Sequence, residues 1–313
     1  MPQFDLLCIG EVNVDLILSG VRELPRFGGE VLAAGVGMHV GGCTANVATF
    51  AARLGLTAAL CARVGNDDFG DFLVAELQKA GVCTDLVARD EDLATGITVS
   101  ISGPEDRAFV TYLGTIDSLT AADAPAELLG SARHIHVGSY FLQRKLQPDL
   151  GAVLARAREL GVTTSLDTGY DPYEQWDNGV WDVLPHVDVF MPNEVEVAAL
   201  TGESDPVAGA EKLAHTVRQV ALKLGGKGAV LVGTGEQHAV SAFPVEVVDT
   251  TCCGDAFNAG FLTARLAGMD DAEALRWGAA VGAIIAGGSG TSAHRLSVHA
   301  VREMLARRSG NRG

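Results

Sequence analysis

A carboxylate, Asp255, stands just inside the first turn of an expected helix, one residue after Gly254, in the run Asp249-Thr-Thr-Cys-Cys-Gly-Asp255-Ala-Phe257. The residues that follow, Ala-Phe-Asn-Ala-Gly-Phe-Leu-Thr-Ala-Arg-Leu, carry apolar side chains at helical spacing. A helix start offers unpaired backbone N–H groups and the positive end of the helix dipole, so it can hold an anion. Beside such a hole Asp255 can take a proton from a hydroxyl. Base and anion hole together are what phosphoryl transfer to an alcohol needs. Taken alone, the plainer reading is an Asp that caps a helix.

Three further clusters bear on the same chemistry. Gly10-Glu-Val-Asn13-Val-Asp15 follows an apolar strand. Strand alternation puts Asn13 and Asp15 on one face, where a carboxylate can accept hydrogen bonds from sugar hydroxyls. A polar, solvated strand face explains the same residues equally well. Gly41-Gly42-Cys-Thr-Ala-Asn46 opens a helix whose apolar face is Val47, Phe50, Ala51 and Leu54. Paired glycines admit a ligand close to the backbone, and Asn46 offers both donor and acceptor. Gly35-Val-Gly37 with Gly41 mimics a dinucleotide fingerprint. No strand–turn–helix unit starts there, so a dinucleotide oxidoreductase is set aside.

Pro192-Asn193-Glu194-Val-Glu196 lies just past an apolar strand, where open α/β sheets place their ligands. Acidic residues in a first helical turn also serve as plain dipole partners. Leu222-Lys223-Leu-Gly225-Gly-Lys227-Gly228 joins two strands through a glycine turn. It is no P-loop, since no Ser or Thr follows the lysine at the required spacing. Lys223 adds positive charge to an acidic protein.

In order and spacing these pieces resemble the ribokinase-like (PfkB) family of sugar and nucleoside kinases over nearly the whole chain. The Asp249 run resembles the family's Asp-Thr-Thr-Gly-Ala-Gly-Asp, Gly41 to Asn46 its Gly-Gly-x-x-x-Asn, and Asn193 to Glu196 its Asn-x-x-Glu. The resemblance implies catalysis by Asp255 with an anion hole at Cys252, Cys253 and Gly254, and a sugar held by Asn13, Asp15, Gly41, Gly42 and Asn46. It implies ATP along Asn193, Lys223, Gly225 and Gly228, Mg²⁺ organised by Glu196 (often through water), and K⁺ as a further ion near Asp249. The expected function is ATP-dependent phosphorylation of a hydroxyl on a small sugar or polyol. The alternatives are a nucleoside kinase, with Phe27, Phe109 and Tyr112 as a base clamp, and a non-catalytic sugar-binding relative.

The chain departs from the pattern at three places. Cys252-Cys253 replaces the family's Gly-Ala. A cysteine there is strained if the backbone needs a positive φ. A thiol at a helix N-terminus is also expected to have a lowered pKa and to alkylate quickly, with ATP protecting it. The Asn usual near Ala279 in the family's adenine pocket is absent. Relatives resembling 2-keto-3-deoxygluconate kinase carry an Arg near position 171, where this chain reads Asp167-Thr-Gly-Tyr-Asp171-Pro. A neutral sugar is therefore expected before an acidic one, while Arg22, Arg26 and Arg107 leave a phosphorylated sugar open.

These residues need a scaffold to converge. Strands are expected at Asp5–Gly10, Thr57–Val64, His134–Gly138, Val162–Asp167, Val187–Met191, Val217–Lys223 and Ala229–Gly233. Helices are expected at Thr44–Leu54, Phe69–Ala80, Pro148–Leu160, Glu194–Leu200, Val207–Thr216, Gly254–Ala267, Asp271–Gly287 and Val298–Ala306. The alternation predicts an α/β fold, a three-layer α/β/α core with a mostly parallel central sheet. Residues 12–38 and 94–114, rich in Val, Ile, Thr and Gly, break it. The resemblance implies that they form a small β-sheet lid over the sugar site, the core being 1–11, 39–93 and 115–313. Exposed edges of such a sheet predict a homodimer through the lid. The small-residue run Trp277–Gly290 predicts close helix packing or room for a flat ring, and the polar tail 307–313 predicts fraying.

With 313 residues, 48% hydrophobic and 20% charged, the chain can bury a sizeable core. A formal charge of −16 argues against a nucleic-acid or anionic-membrane partner. The six cysteines show no zinc spacing, and the N-terminus lacks a signal-peptide pattern, so a cytoplasmic protein with reduced thiols is expected. His134 and His136 are expected as filler. Asp167, Asp171 and Asp177 with Tyr170, Tyr173 and Trp176 have no assigned role.

Overall fold

The computed structural model describes residues 2–103, 107–233, 235–288 and 295–309, with the side chains of 107 and 307–309 also outside the description. Parts of three expectations therefore lie outside the described residues: 104–106 of the small sheet, 289–290 of the small-residue run and 310–313 of the tail.

Thirteen strands are described: β1 Phe4–Ile9, β2 Asn13–Ser19, β3 Gly35–Gly41, β4 Ala58–Gly65, β5 Val87–Asp90, β6 Ile97–Ser102, β7 Arg107–Tyr112, β8 Ala132–Val137, β9 Thr163–Leu166, β10 Val189–Phe190, β11 Gln219–Lys223, β12 Ala229–Gly233 and β13 Gln237–Val240. Nine build one sheet in the order β13-β12-β11-β10-β9-β8-β1-β4-β5. From β11 to β5 every pairing is parallel, while β12 and β13 close one edge antiparallel. The antiparallel edge follows from the short turn between Lys223 and Ala229, too short for the crossover that a parallel pair requires.

Both sheet faces are covered because the strands are apolar on both. In β1, Leu6 and Cys8 pack with Phe50 of helix Cys43–Arg53 and Phe261 of helix Cys253–Leu266. Leu7 and Ile9 point the other way, onto Leu150 and Leu154 of helix Gln147–Glu159. All four β1 side chains are at most 1% exposed. This is the expected three-layer arrangement, and it puts the C-terminal ends of β1, β8, β9, β10 and β11 along one rim. No described helix is long and apolar enough to cross a membrane.

The remaining four strands form a separate sheet, β3-β2-β6-β7. It comes from the two segments that broke the alternation, although β3 runs on to Gly41, past the expected limit at 38. The strand expected over Val187–Met191 is only two residues long, because Asp188 instead bonds its amide and carboxylate to Thr164.

Candidate active site

Asp255 is the third residue of helix Cys253–Leu266 and is only 6% exposed. Its Oδ2 accepts a hydrogen bond from Asn46 Nδ2 at 2.9 Å, across 209 positions of sequence. Burial is the main reason its carboxyl is pushed up to about 7, with the charges of Asp167 and Glu11 adding to it and the Asn46 bond and Lys223 opposing. A base poised near neutrality takes a hydroxyl proton more readily than an ordinary, fully solvated Asp.

Cys252 is the N-cap of this helix, in the left-handed region at φ 59°. The strain expected for a side chain at this position is present, on the order of 1 kcal/mol. Its Sγ accepts from Asn46 Nδ2 at 3.2 Å, so the thiol helps to seat the same amide that touches the base. At Cys252 the direction is the reverse of the expected activation. Burial and the charges of Asp255 and Asp15 push the Cys252 thiol well above its ordinary value. The helix dipole is outweighed because the nearby carboxylates repel a thiolate. In the expected anion hole the amide of Cys253 already donates to the Thr250 carbonyl at 3.3 Å. The amides of Gly254 and Asp255 are the next donors of the turn.

On the small sheet, Asn13 Nδ2 donates to Asp15 Oδ1 at 2.8 Å. Desolvation pushes the Asp15 carboxyl up to about 6. Gly41 has a steric duty, since a Cβ there would lie 2.2 Å from Asp15 Oδ1. Gly42 adopts φ 95° at the start of helix Cys43–Arg53, with Glu11 and Val12 backbone about 3 Å from where a Cβ would be. A neighbour that sequence reasoning passed over is Glu11, 3% exposed, whose Oε2 accepts from Thr44 Oγ1 at 2.6 Å. Burial raises its carboxyl too. Its signal was available: a charged residue directly after a strand and a glycine.

Asn193 and Glu196 form a reciprocal capping box. Asn193 Oδ1 accepts from the amides of Val195 and Glu196, and Glu196 accepts from the Asn193 backbone N at 2.9 Å and Nδ2 at 2.7 Å. Both Glu196 oxygens are thus engaged, and no cluster of three or more His, Cys, Asp or Glu among the described residues could hold a metal by itself. Mg²⁺ fits here only in its usual manner, carried largely by phosphates and waters with one carboxylate nearby. Asp249 Oδ1 accepts from Thr251 N at 2.8 Å and Oγ1 at 2.6 Å, which orders the loop before the catalytic helix.

A cavity of about 780 Å³ runs from Asn193 past Lys223, Gly225, Gly226 and Gly228 to Thr250, Gly254, Ala279, Gly282 and Ala283. Its size suits a nucleotide, since ligand clefts span roughly 300–1,000 Å³. Gly228 (φ 109°) can be nothing but glycine, because a Cβ would lie 2.0 Å from the Val240 carbonyl oxygen. The small residues of helix Asp271–Ala286 pack closely and also border the cavity. Gly278 abuts the Phe257 ring, while Ala279, Gly282 and Ala283 line the cavity.

Lys223, expected to lend charge to the nucleotide loop, lines that cavity, and its ammonium lies 2.5 Å from Asp167 Oδ2. Burial pulls the Lys223 pKa down, but the Asp167 and Glu196 carboxylates more than offset it. The aspartates left without a role divide. Asp167 joins the site, whereas Asp171 accepts from the amides of Tyr173, Gln175 and Trp176 and so shapes its own loop. His134 and His136 are buried and share Ser165 Oγ, each at 2.8 Å, as core residues.

The register of the small sheet corrects the aromatic clamp. Phe109 pairs with Ser100 two positions along from Thr98, which pairs with Asp15, so it shares the Asp15 face. Tyr112 pairs with Ile97 and Val14 on the opposite face.

Residues 3–297 match the pfkB family carbohydrate kinase model. An ATP-dependent ribose-1-phosphate kinase of Halopiger xanaduensis is 33% identical over 290 residues, 91% of this chain and 93% of the relative. A 2-dehydro-3-deoxygluconokinase of Bacillus subtilis is 32% identical over 78% of this chain and 79% of its own length. Among solved structures, Arabidopsis thaliana ribokinase complexed with ribose and ATP superposes with a TM-score of 0.83 at 25% identity, covering 97% of this chain and 99% of that one. An E. coli protein assigned as ribokinase II, in complex with ATP and Mg²⁺, gives a TM-score of 0.85 at 25% identity, with the same coverage.

Proposed function

This chain belongs to the pfkB family of carbohydrate kinases and is an ATP-dependent sugar kinase, and from that premise we propose how its residues divide the reaction. Asp255 accepts the proton of the attacking hydroxyl. Asn46 orients that carboxylate, and Asp15, with Asn13 behind it, accepts hydrogen bonds from other hydroxyls of the sugar. Gly41 and Gly42 let the sugar lie against backbone, beneath the small sheet acting as a lid. The amides of Gly254 and Asp255 receive the charge that moves through the transferring phosphoryl group. The nucleotide occupies the cavity lined by Asn193, Lys223, Gly225 and Gly228. Asn193 and Glu196 would hold Mg²⁺ beside the nucleotide phosphates, where it would neutralise phosphate charge. K⁺ near Asp249 is part of the same proposal, as is a small neutral sugar or polyol as acceptor.

One observation carries this reading: the 2.9 Å contact between Asn46 and Asp255 brings the two glycine-bearing segments to one point. A second acceptor class, a phosphorylated sugar, is favoured by the relative that acts on ribose 1-phosphate and by exposed Arg22 and Arg26 in the loop after β2. The test is ADP release from Mg²⁺-ATP with ribose, fructose, inositol, 2-keto-3-deoxygluconate, ribose 1-phosphate and nucleosides, each with and without K⁺. Turnover on a neutral sugar, abolished in Asp255→Asn, supports the assignment. Turnover that survives the substitution removes Asp255 as the base, and ribose 1-phosphate as best substrate selects the second class.

The partner reading is a second copy of this chain. Opposite the Asp15 face the small sheet carries Val36, Met38, Leu16, Val99, Val110 and Tyr112 in one register-aligned apolar surface. Val36, Val110 and Tyr112 are each more than half exposed. A patch of this kind is unusual on a monomer, and two-fold pairing of identical faces covers it.

A further inference from the structure

Three elements converge on one carboxylate oxygen. Asp167 directly follows β9, and its Oδ2 accepts from Lys223 Nζ at 2.5 Å and from Asn258 Nδ2 at 2.6 Å. Its Oδ1 accepts from the Gly169 amide at 3.0 Å, which fixes the remaining orientation. Lys223 ends β11, and β10 lies between that strand and β9. The Lys223 and Asp167 side chains therefore reach toward each other across two strand spacings, roughly 10 Å. Asn258 sits one turn after Asp255 on the catalytic helix, on the same face as the base.

The pair is buried: Asp167 is 5% exposed, Asn258 0%, and the Lys223 side chain 12%. A buried ion pair is an expensive way to stabilise a fold, since well-packed apolar residues do as well or better. Asn258 adds to the cost, because its Oδ1 is buried without a hydrogen-bond partner. Turning the amide would satisfy nothing, for it would point that oxygen at the Asp167 carboxylate. The orphan acceptor is thus a consequence of keeping Asp167 bound.

What this arrangement fixes is the position of a cation. Lys223 Nζ lies 3.6 Å from where a Cβ on Gly254 would be, next to the first turn of the catalytic helix. Lys223 also lines the large cavity. Among the described residues the ammonium's side-chain hydrogen bond goes to Asp167, leaving N–H groups for a ligand.

We infer that Asp167 and Asn258 are positioning residues that aim the Lys223 ammonium at the terminal phosphoryl group of the donor nucleotide. This rests on the kinase reading above. Lys223 meets the phosphoryl oxygens as they cross toward the acceptor hydroxyl, and Asp167 keeps the ammonium from swinging toward Glu196 or Asp255. A point charge held in advance is worth more than one that must be ordered during the reaction.

The test separates the terminal phosphate from the rest of the nucleotide. Isothermal titration would give Kd for ADP and for a non-hydrolysable ATP analogue with wild type, Lys223→Met, Asp167→Asn and Asn258→Ala, alongside kcat, sugar KM and thermal midpoint. Expected for Lys223→Met and Asp167→Asn is a Kd for the ATP analogue about tenfold weaker, an ADP Kd within twofold of wild type, and kcat down by about 10²-fold at unchanged sugar KM. Asn258→Ala keeps the ion pair but loosens it, so a smaller kcat loss with the same selectivity is expected. It also serves if Asp167→Asn does not fold. Equal weakening of ADP and analogue, or a kcat loss that merely tracks a lowered thermal midpoint, would overturn the inference in favour of a structural ion pair. Wild type that binds neither nucleotide would instead overturn the kinase reading, a distinguishable failure.

Discussion

Asn46 and Asp255 stand 209 positions apart in the chain and 2.9 Å apart in the fold. The same Asn46 amide reaches the sulfur of Cys252 at 3.2 Å, so one side chain locks the base to the strained cap beside it. This contact joins the helix that follows the small sheet to the helix that opens the phosphoryl site.

The base should announce itself in the pH profile. With the Asp255 carboxyl pushed up to about 7 by burial, kcat should fall as pH drops below that value. Asp255→Asn should lose on the order of 10²–10⁴ in kcat with its circular dichroism unchanged. Steady-state ADP release between pH 5 and 9 checks both. A flat profile down to pH 5 would remove the buried carboxylate from the rate-limiting chemistry.

The same burial has a stability consequence of opposite sign to the usual carboxylate. Folded Asp255 holds its proton up to about pH 7, while the unfolded chain gives it up near the ordinary 3.8. Between these values the folded state binds more protons, so this group's contribution to stability declines as pH rises through the window. Asp255→Asn should therefore melt higher than wild type at pH 8, by about 2 °C or more, and the gap should close toward pH 4. Scanning calorimetry at the two pH values decides.

Gly41→Ala is predicted to hurt the acceptor site and spare the base. Its new Cβ would overlap Asp15 Oδ1, 2.2 Å away, so the carboxylate must leave its place against Asn13. A charge-assisted hydrogen bond lost to a sugar hydroxyl is worth about 1.5–3 kcal/mol, or roughly 10–100-fold in sugar KM. Nucleotide affinity should not change. A normal sugar KM in this variant would mean that Asp15 does not touch the sugar.

Cys252 should be a slow thiol. Burial and the adjacent carboxylates hold it well above its ordinary pKa, so iodoacetamide at pH 7.5 should label it far more slowly than an unstructured cysteine, with or without ATP. Peptide mass mapping over time reads this directly. Rapid labelling, blocked by ATP, would restore the activated-thiol expectation.

The apolar face of the small sheet should set the oligomeric state. Val110 is 63% exposed in the single chain, and Val110→Asp should convert a dimer to a monomer in light scattering at micromolar concentration. A wild-type protein that is already monomeric there would dispose of the pairing.

Much was legible before any fold was visible. Alternating strands and amphipathic helices announced the three-layer core, because apolar periodicity is a local property of the chain. The glycines of Gly41-Gly42 and the carboxylate of Asp255 were also readable, since each depends on its own loop or helix start. Asp167 was not, although it joins the site. Its partners Lys223 and Asn258 lie 56 and 91 positions away, and only the order β11-β10-β9 beneath the catalytic helix brings them to one oxygen.

The sequence by itself determined which residues could act: a base in the first turn of a helix, a glycine pair, an Asn-x-x-Glu box and a lysine at a strand end. The tertiary structure decided their states. It turned Tyr112 away from the Asp15 face, raised the Asp255 carboxyl and raised the Cys252 thiol, where a helix start alone argued for the reverse. Proton affinity depends on how much water and which charges surround a group. Those surroundings are assembled from strands and helices far apart in the chain, so no local reading of residue types could supply them.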